Sequence, residues 1–284
     1  MATELPIVEQ LAYCTVRVSC QLPDKSTSVG TGFFMSFVPE EATGRSIPAI
    51  VTNRHVVQGA ENGTFLLTRA TNDGAPDVGT FETFTLANFE KLWIGHPDPD
   101  VDLCIMPLGP LVNAAHSKGT RFFYKSFIEE TIASPTLFSE LSALEEITMI
   151  GYPVGIWDAK NNMPIFRKGV TATHPYVDYQ GRKEFVVDIA CFPGSSGSPV
   201  LLCNLGGYTD RHGNTHLGST RIHLLGVLYA GPQYTAEGEI RVMPIPTGLK
   251  PVPVMLIPTN LGYVIKAEKL KDFEPLLRKL VGER

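Results

Sequence analysis

Apolar residues in this chain recur at every second position in short runs, and helical spacing is confined to the segment from Ala267 onward. Val16, Val18 and Cys20 share one face of an early run, with Thr15, Arg17 and Ser19 on the other, the period of a half-buried pleated strand. Further candidate strands lie at 32–38, 49–52, 64–68, 81–87, 101–107, 147–150, 185–190, 199–202 and 221–229. Turn formers such as Asn72-Asp73-Gly74 and Asn161-Asn162 separate them, and 26 glycines and 22 prolines suit many short strands. A parallel sheet would need helices between its strands. None is predicted, so the chain reads as all-β.

A chain of 284 residues with 43% hydrophobic content can bury the cores of two small β-barrels that share a cleft. The natural division falls between Pro107 and Phe127, with Leu108-Gly109-Pro110 ending the first strand-rich part. The expected parts are residues 1–110, residues 111–264 and a short terminal helix over 265–284. In that helix Leu270, Phe273, Leu277 and Leu280 fall at helical spacing, and Pro275 breaks or restarts it.

The net charge of −5 and the lack of a Lys/Arg block speak against a nucleic-acid partner. Five cysteines form an odd set without a CxxC pair, which suits a reducing compartment better than a disulfide framework. The first ten residues lack a basic, then apolar, leader pattern, and no apolar run approaches the ~20 residues of a membrane span. A cytoplasmic protein without a membrane partner is therefore expected. His212 and His216 stand at i, i+4 in a Gly-rich stretch that is not helical. They read as part of a solvated hairpin, so neither a metal nor a cofactor is expected.

Chemistry concentrates in three places. Residues 194–199 read Gly-Ser-Ser-Gly-Ser-Pro between apolar runs at 185–190 and 200–203. Glycines beside a serine let the backbone turn sharply and aim N–H groups at one point, and a hydroxyl needs a base before it can attack. His55 follows the apolar Ile50-Val51-Thr52, and an imidazole can take that proton and return it. Asp98, Asp100 and Asp102 compete to orient the imidazole: the first two lie in a proline-rich turn, and Asp102 heads the apolar run 103–106. The choice is Asp102, with Asp100 in reserve.

In these motifs the chain resembles the trypsin/chymotrypsin-like serine proteases, closest to bacterial HtrA-like and V8-like members without a PDZ domain. The likeness extends over roughly residues 10–235. It includes Gly30-Thr31-Gly32-Phe33 in an early strand, Gly151-Tyr152-Pro153-Val154-Gly155 in a turn, and the wall strand Leu225-Gly226-Val227-Leu228-Tyr229-Ala230-Gly231. Asp102-Leu103 fits the family's acid motif. The resemblance implies two six-stranded antiparallel β-barrels with a short C-terminal helix, and Ser196 as nucleophile with His55 and Asp102. It implies an oxyanion hole from the N–H groups of Gly194 and Ser196. It places the substrate against Ala190, Cys191, Phe192, Leu228, Tyr229, Ala230 and Gly231.

The chain departs from the family at Ser195, where animal members carry an aspartate that pairs with a newly cut N-terminus. Activation by N-terminal cleavage is therefore not expected. No acid stands at the pocket base, and Leu228 stands where Glu-preferring members carry histidine, so an uncharged pocket is expected. The implied activity is an endopeptidase acting on proteins or peptides, and because constant activity in a cytosol would be hazardous, regulation by a protein partner or by restricted access is expected. The alternative is a catalytically silent fold used to bind peptides. An α/β-hydrolase is excluded, because it needs G-x-S-x-G and the order Ser, acid, His.

Overall fold

The computed structural model describes residues 5–40, 45–236, 255–280 and 282. The early alternation becomes a seven-stranded antiparallel sheet of β1 (Thr15–Gln21), β2 (Thr27–Glu40), β3 (Arg45–Thr52), β4 (Asn62–Ala70), β5 (Pro76–Ala87), β6 (Ile94–Gly95) and β7 (Cys104–Pro107). Its hydrogen-bonded order is β5-β4-β1-β2-β3-β7-β6. Successive side chains leave a strand on opposite faces, and β2 uses both. Phe34 packs with Val16, Val18, Phe65, Leu67 and Phe89 inside this half. Phe33, Met35 and Phe37 point the other way, into a cluster completed by residues of the second half.

The second half contains β8 (Glu146–Gly151), β9 (Ile165–Thr171), β10 (Glu184–Asp188), β11 (Pro199–Asn204), β12 (Gly207–Thr209), β13 (Thr215–Leu217), β14 (Arg221–Ala230), β15 (Gln233–Ala236), β16 (Met255–Pro258) and β17 (Leu261–Lys266). Six of these close into a barrel in the order β10-β17-β14-β11-β8-β9, and β9 pairs back onto β10. Ile147, Met149, Phe185, Val187, Val200 and Leu202 fill it. The hairpin β12–β13 carries His216, whose Nε2 lies 3.0 Å from Asp210 Oδ2.

Two six-stranded barrels were expected, and one closed six-stranded barrel is found, in the second half. The first half has seven strands, with β5 and β6 at the ends and no pairing between them among the described residues. Closure needs a continuous ladder around the ring. β6 offers only Ile94 and Gly95, a piece too short to register as a period in the sequence.

The C-terminal segment forms a 3₁₀ stretch, Ala267–Phe273, and then a helix, Glu274–Leu280. Pro275 lies in the helix's first turn, where its missing N–H breaks no bond. Leu270, Phe273 and Leu277 enter the cluster shared with β2, whereas Leu280 is 66% exposed. The buried His96 pins this segment to the first half. Its Nδ1 accepts from the Asp98 N–H at 3.0 Å, which leaves Nε2–H to donate to the Lys269 carbonyl at 3.0 Å. His96→Ala removes both bonds and the ring's edge-on packing against Phe273, so it is expected to cost about 2 kcal/mol, read as a lower urea midpoint at unchanged slope. No described helix is long and apolar enough to cross a membrane.

Candidate active site

β3 ends at Thr52, and one turn of helix, Arg54–Val57, follows directly. Val56 and Val57 are buried beneath that turn, which leaves His55 exposed on its outer side. Asp102 lies two residues ahead of β7, and its carboxylate reaches His55 twice. Oδ1 accepts from the His55 backbone N–H at 3.0 Å, and Oδ2 lies 2.5 Å from Nδ1. The Asp102 carbonyl in turn accepts from Asn53 Nδ2 at 2.8 Å. Asp100 stands elsewhere: its N–H donates to Asp98 Oδ1, and both residues line a different cavity.

Ser196 belongs to the loop before β11. Gly194 and Gly197 hold that loop at φ +89° and +85°, the left-handed region that favours glycine. A side chain on Gly194 would meet the Tyr152 carbonyl at 2.5 Å, and one on Gly197 would collide with the Thr31 carbonyl. Thr31 of β2, fully buried, ties the loop to the first half. Its N–H donates to the Ser196 carbonyl at 2.8 Å, its Oγ1 donates to the Gly194 carbonyl at 2.9 Å, and that Oγ1 accepts from Tyr152 N at 3.1 Å. From behind, the turn Pro153–Gly155 holds the loop through the Val154 N–H on the Pro193 carbonyl, 2.5 Å.

His55 and Ser196 line one cavity of about 430 Å³ between the halves. Gly194, Cys191, Phe192, Leu228, Tyr229, Ala230 and Gly231 line it too, whereas Ala190 and Asp102 are not among its lining residues. Among the described residues, Ser196 Oγ donates to the Tyr229 carbonyl at 3.4 Å and makes no bond to His55. Among the described residues the N–H groups of Gly194 and Ser196 have no hydrogen-bond acceptor, and both residues line the cavity. Sequence reading missed Val29, Pro232 and Leu261 in the lining and Thr31 and Arg167 behind it. Only Thr31 carried a local signal, as the middle residue of Gly30-Thr31-Gly32.

All five thiols are free. Burial pushes the Cys191 thiol up to about 11, with Arg167 pulling the other way. A raised thiol stays protonated below that value, and only the thiolate reacts. At pH 8 iodoacetamide should therefore modify Cys191 about a hundredfold more slowly than an exposed cysteine, by peptide mass mapping. Among the described residues, no group of three or more His, Cys, Asp and Glu side chains is placed to hold a metal.

A family model described as a trypsin-like peptidase domain matches residues 30–206. Structural likeness extends to an HtrA-type protease, AlgW, solved with a tripeptide. It is 14% identical, with a TM-score of 0.45, and the match covers 96% of this chain and 62% of that one. A protease from M. tuberculosis in its active form is 15% identical, with a TM-score of 0.46 and coverage of 93% and 81%. A serine endoprotease from Yersinia pestis is 14% identical, with a TM-score of 0.46 and coverage of 98% and 68%. No curated protein matches the sequence.

Proposed function

Because this chain belongs to the trypsin-like peptidase family, we propose that it is a serine endopeptidase working through Ser196, His55 and Asp102. The observation that carries this reading is the 2.5 Å His55–Asp102 contact beside a cavity that Ser196 shares. Substrate backbone lies along Tyr229, Ala230 and Gly231. As it enters, Ser196 Oγ turns from the Tyr229 carbonyl toward His55 Nε2, which takes its proton as the oxygen attacks the scissile carbonyl. Asp102 holds the Nδ1–H tautomer and stabilises the imidazolium, without taking the proton itself. The carbonyl oxygen, now an anion, is met by the N–H groups of Gly194 and Ser196. His55 then protonates the leaving amine, and water, activated by the same imidazole, frees the acyl-enzyme.

In this reading residues 1–110 supply His55 and Asp102, residues 111–264 supply Ser196 and the pocket, and residues 265–284 pack across the parts. Five free thiols support a reducing, intracellular setting, where a regulatory partner would restrain the activity. The second reading is a catalytically silent peptide-binding module. The bond from Ser196 Oγ to Tyr229, away from His55, favours it. A fluorophosphonate probe decides between them. An activated serine labels in the wild type, is unlabelled in Ser196→Ala and is strongly slowed in His55→Ala. A folded wild type that does not label supports the silent module.

A further inference from the structure

Behind the cavity wall lies a guanidinium that the catalytic assignment does not use. Arg167 projects from β9, and its Nη1 donates to the Ala190 carbonyl and, at 3.0 Å, to Ser195 Oγ. That hydroxyl also accepts from the Phe192 N–H at 3.2 Å, so the cation braces the turn that leads into the oxyanion loop. Nε and Nη2 of Arg167 are buried without a hydrogen-bond partner, and no carboxylate pairs with the guanidinium among the described residues. Ser195, which stands where animal members of the family carry an aspartate, is neutral and supplies no anion.

The cation sits one residue layer from the cavity. It is bonded to Ala190 and Ser195, and the residues between them, Cys191 to Gly194, all line the space. The Cys191 thiol feels Arg167 as an opposing influence on its raised pKa, and Asp188, the carboxylate that also acts on it, is exposed to solvent. No Asp, Glu, Lys or Arg is among the described lining residues, and Val29, Leu228, Pro232 and Leu261 make much of the wall apolar. A buried charge without a counter-charge is costly, and the apolar part of the wall screens its field less than water would. A carboxylate entering the cavity meets that field favourably, and an ammonium meets it as repulsion.

We propose that Arg167 makes this cavity a receptor for an acidic side chain, so that peptides are held and cut after Asp or Glu. The inference rests on the peptidase reading for the cut, but not for the binding. The test uses Ser196→Ala with acetylated tetrapeptides ending in Glu, Gln or Lys, measured by titration calorimetry. All share the terminal carboxylate and differ only in the side chain offered to the pocket. Glu is expected to bind about 30-fold more tightly than Gln, with Lys weaker than Gln. Adding Arg167→Gln should bring Glu and Gln to within about twofold, whereas Arg167→Lys should keep the preference for Glu. Equal binding of Glu and Gln by Ser196→Ala, or a preference that survives a folded Arg167→Gln, overturns the proposal. So does failure of every peptide to bind. The peptidase reading fails separately, through absent fluorophosphonate labelling, and leaves this comparison intact.

Discussion

Asp102→Asn is expected to lower turnover of a peptide substrate by about four orders of magnitude while shifting the melting temperature by only a few degrees. The asymmetry follows from the two bonds the carboxylate makes. Oδ1 accepts from the His55 backbone N–H, and an asparagine oxygen can continue to do so. The other position faces His55 Nδ1 at 2.5 Å, and there asparagine presents an NH₂ donor. Nδ1 must then become the acceptor, and the ring proton moves to Nε2, where a proton should have been received from Ser196. The imidazole keeps its place and loses its role as a base. His55 and Asp102 side chains are 46% and 21% exposed, so their mutual attraction contributes little to folding. Steady-state kinetics beside a thermal melt reads both quantities, and an active Asp102→Asn would remove Asp102 from the mechanism.

Gly197→Ala is expected to cost about 3 kcal/mol or more of stability and to abolish labelling of Ser196. At φ +85° an L side chain is strained, and its Cβ would drive into the Thr31 carbonyl and the Thr52 hydroxyl. That carbonyl already accepts from Thr52 Oγ1 at 2.7 Å, and the Gly197 N–H donates to the Leu228 carbonyl at 2.8 Å. Relief therefore requires the strand ends to part at the place where Thr31 grips Ser196. Urea denaturation with probe labelling checks both effects. A stable, labelled Gly197→Ala would mean that the loop tolerates a different path.

The His55–Asp102 contact and the cavity that His55 shares with Ser196 were anticipated from local marks: an apolar strand before the histidine, an acid at a strand start, glycines around the serine. The all-β class was legible from alternation, and the closed barrel only from the family resemblance. Two of the ten predicted runs were trimmed from one side: residues 101–103 turn before β7 begins at Cys104, and Ile189 and Ala190 extend beyond β10. The seven-stranded order of the first half was not legible, since β6 is too short to show a period. Nor was the charge behind the pocket. The pocket base carries no charged residue in its own segment, and the cation arrives from β9, more than twenty residues upstream, through bonds that exist only once the barrel closes. An expectation built on neighbouring residues therefore described an uncharged pocket, and the described lining itself contains no Asp, Glu, Lys or Arg.

The cluster that holds Phe33, Met35 and Phe37 of β2 against Leu201, Leu224, Phe273 and Leu277 belongs to neither half alone. A chain cut in the connecting stretch after β7 would yield two fragments, each with an apolar face that water penalises. One fragment would carry His55 and Asp102, and the other Ser196. Neither could perform the chemistry, and the same greasy faces would draw them together.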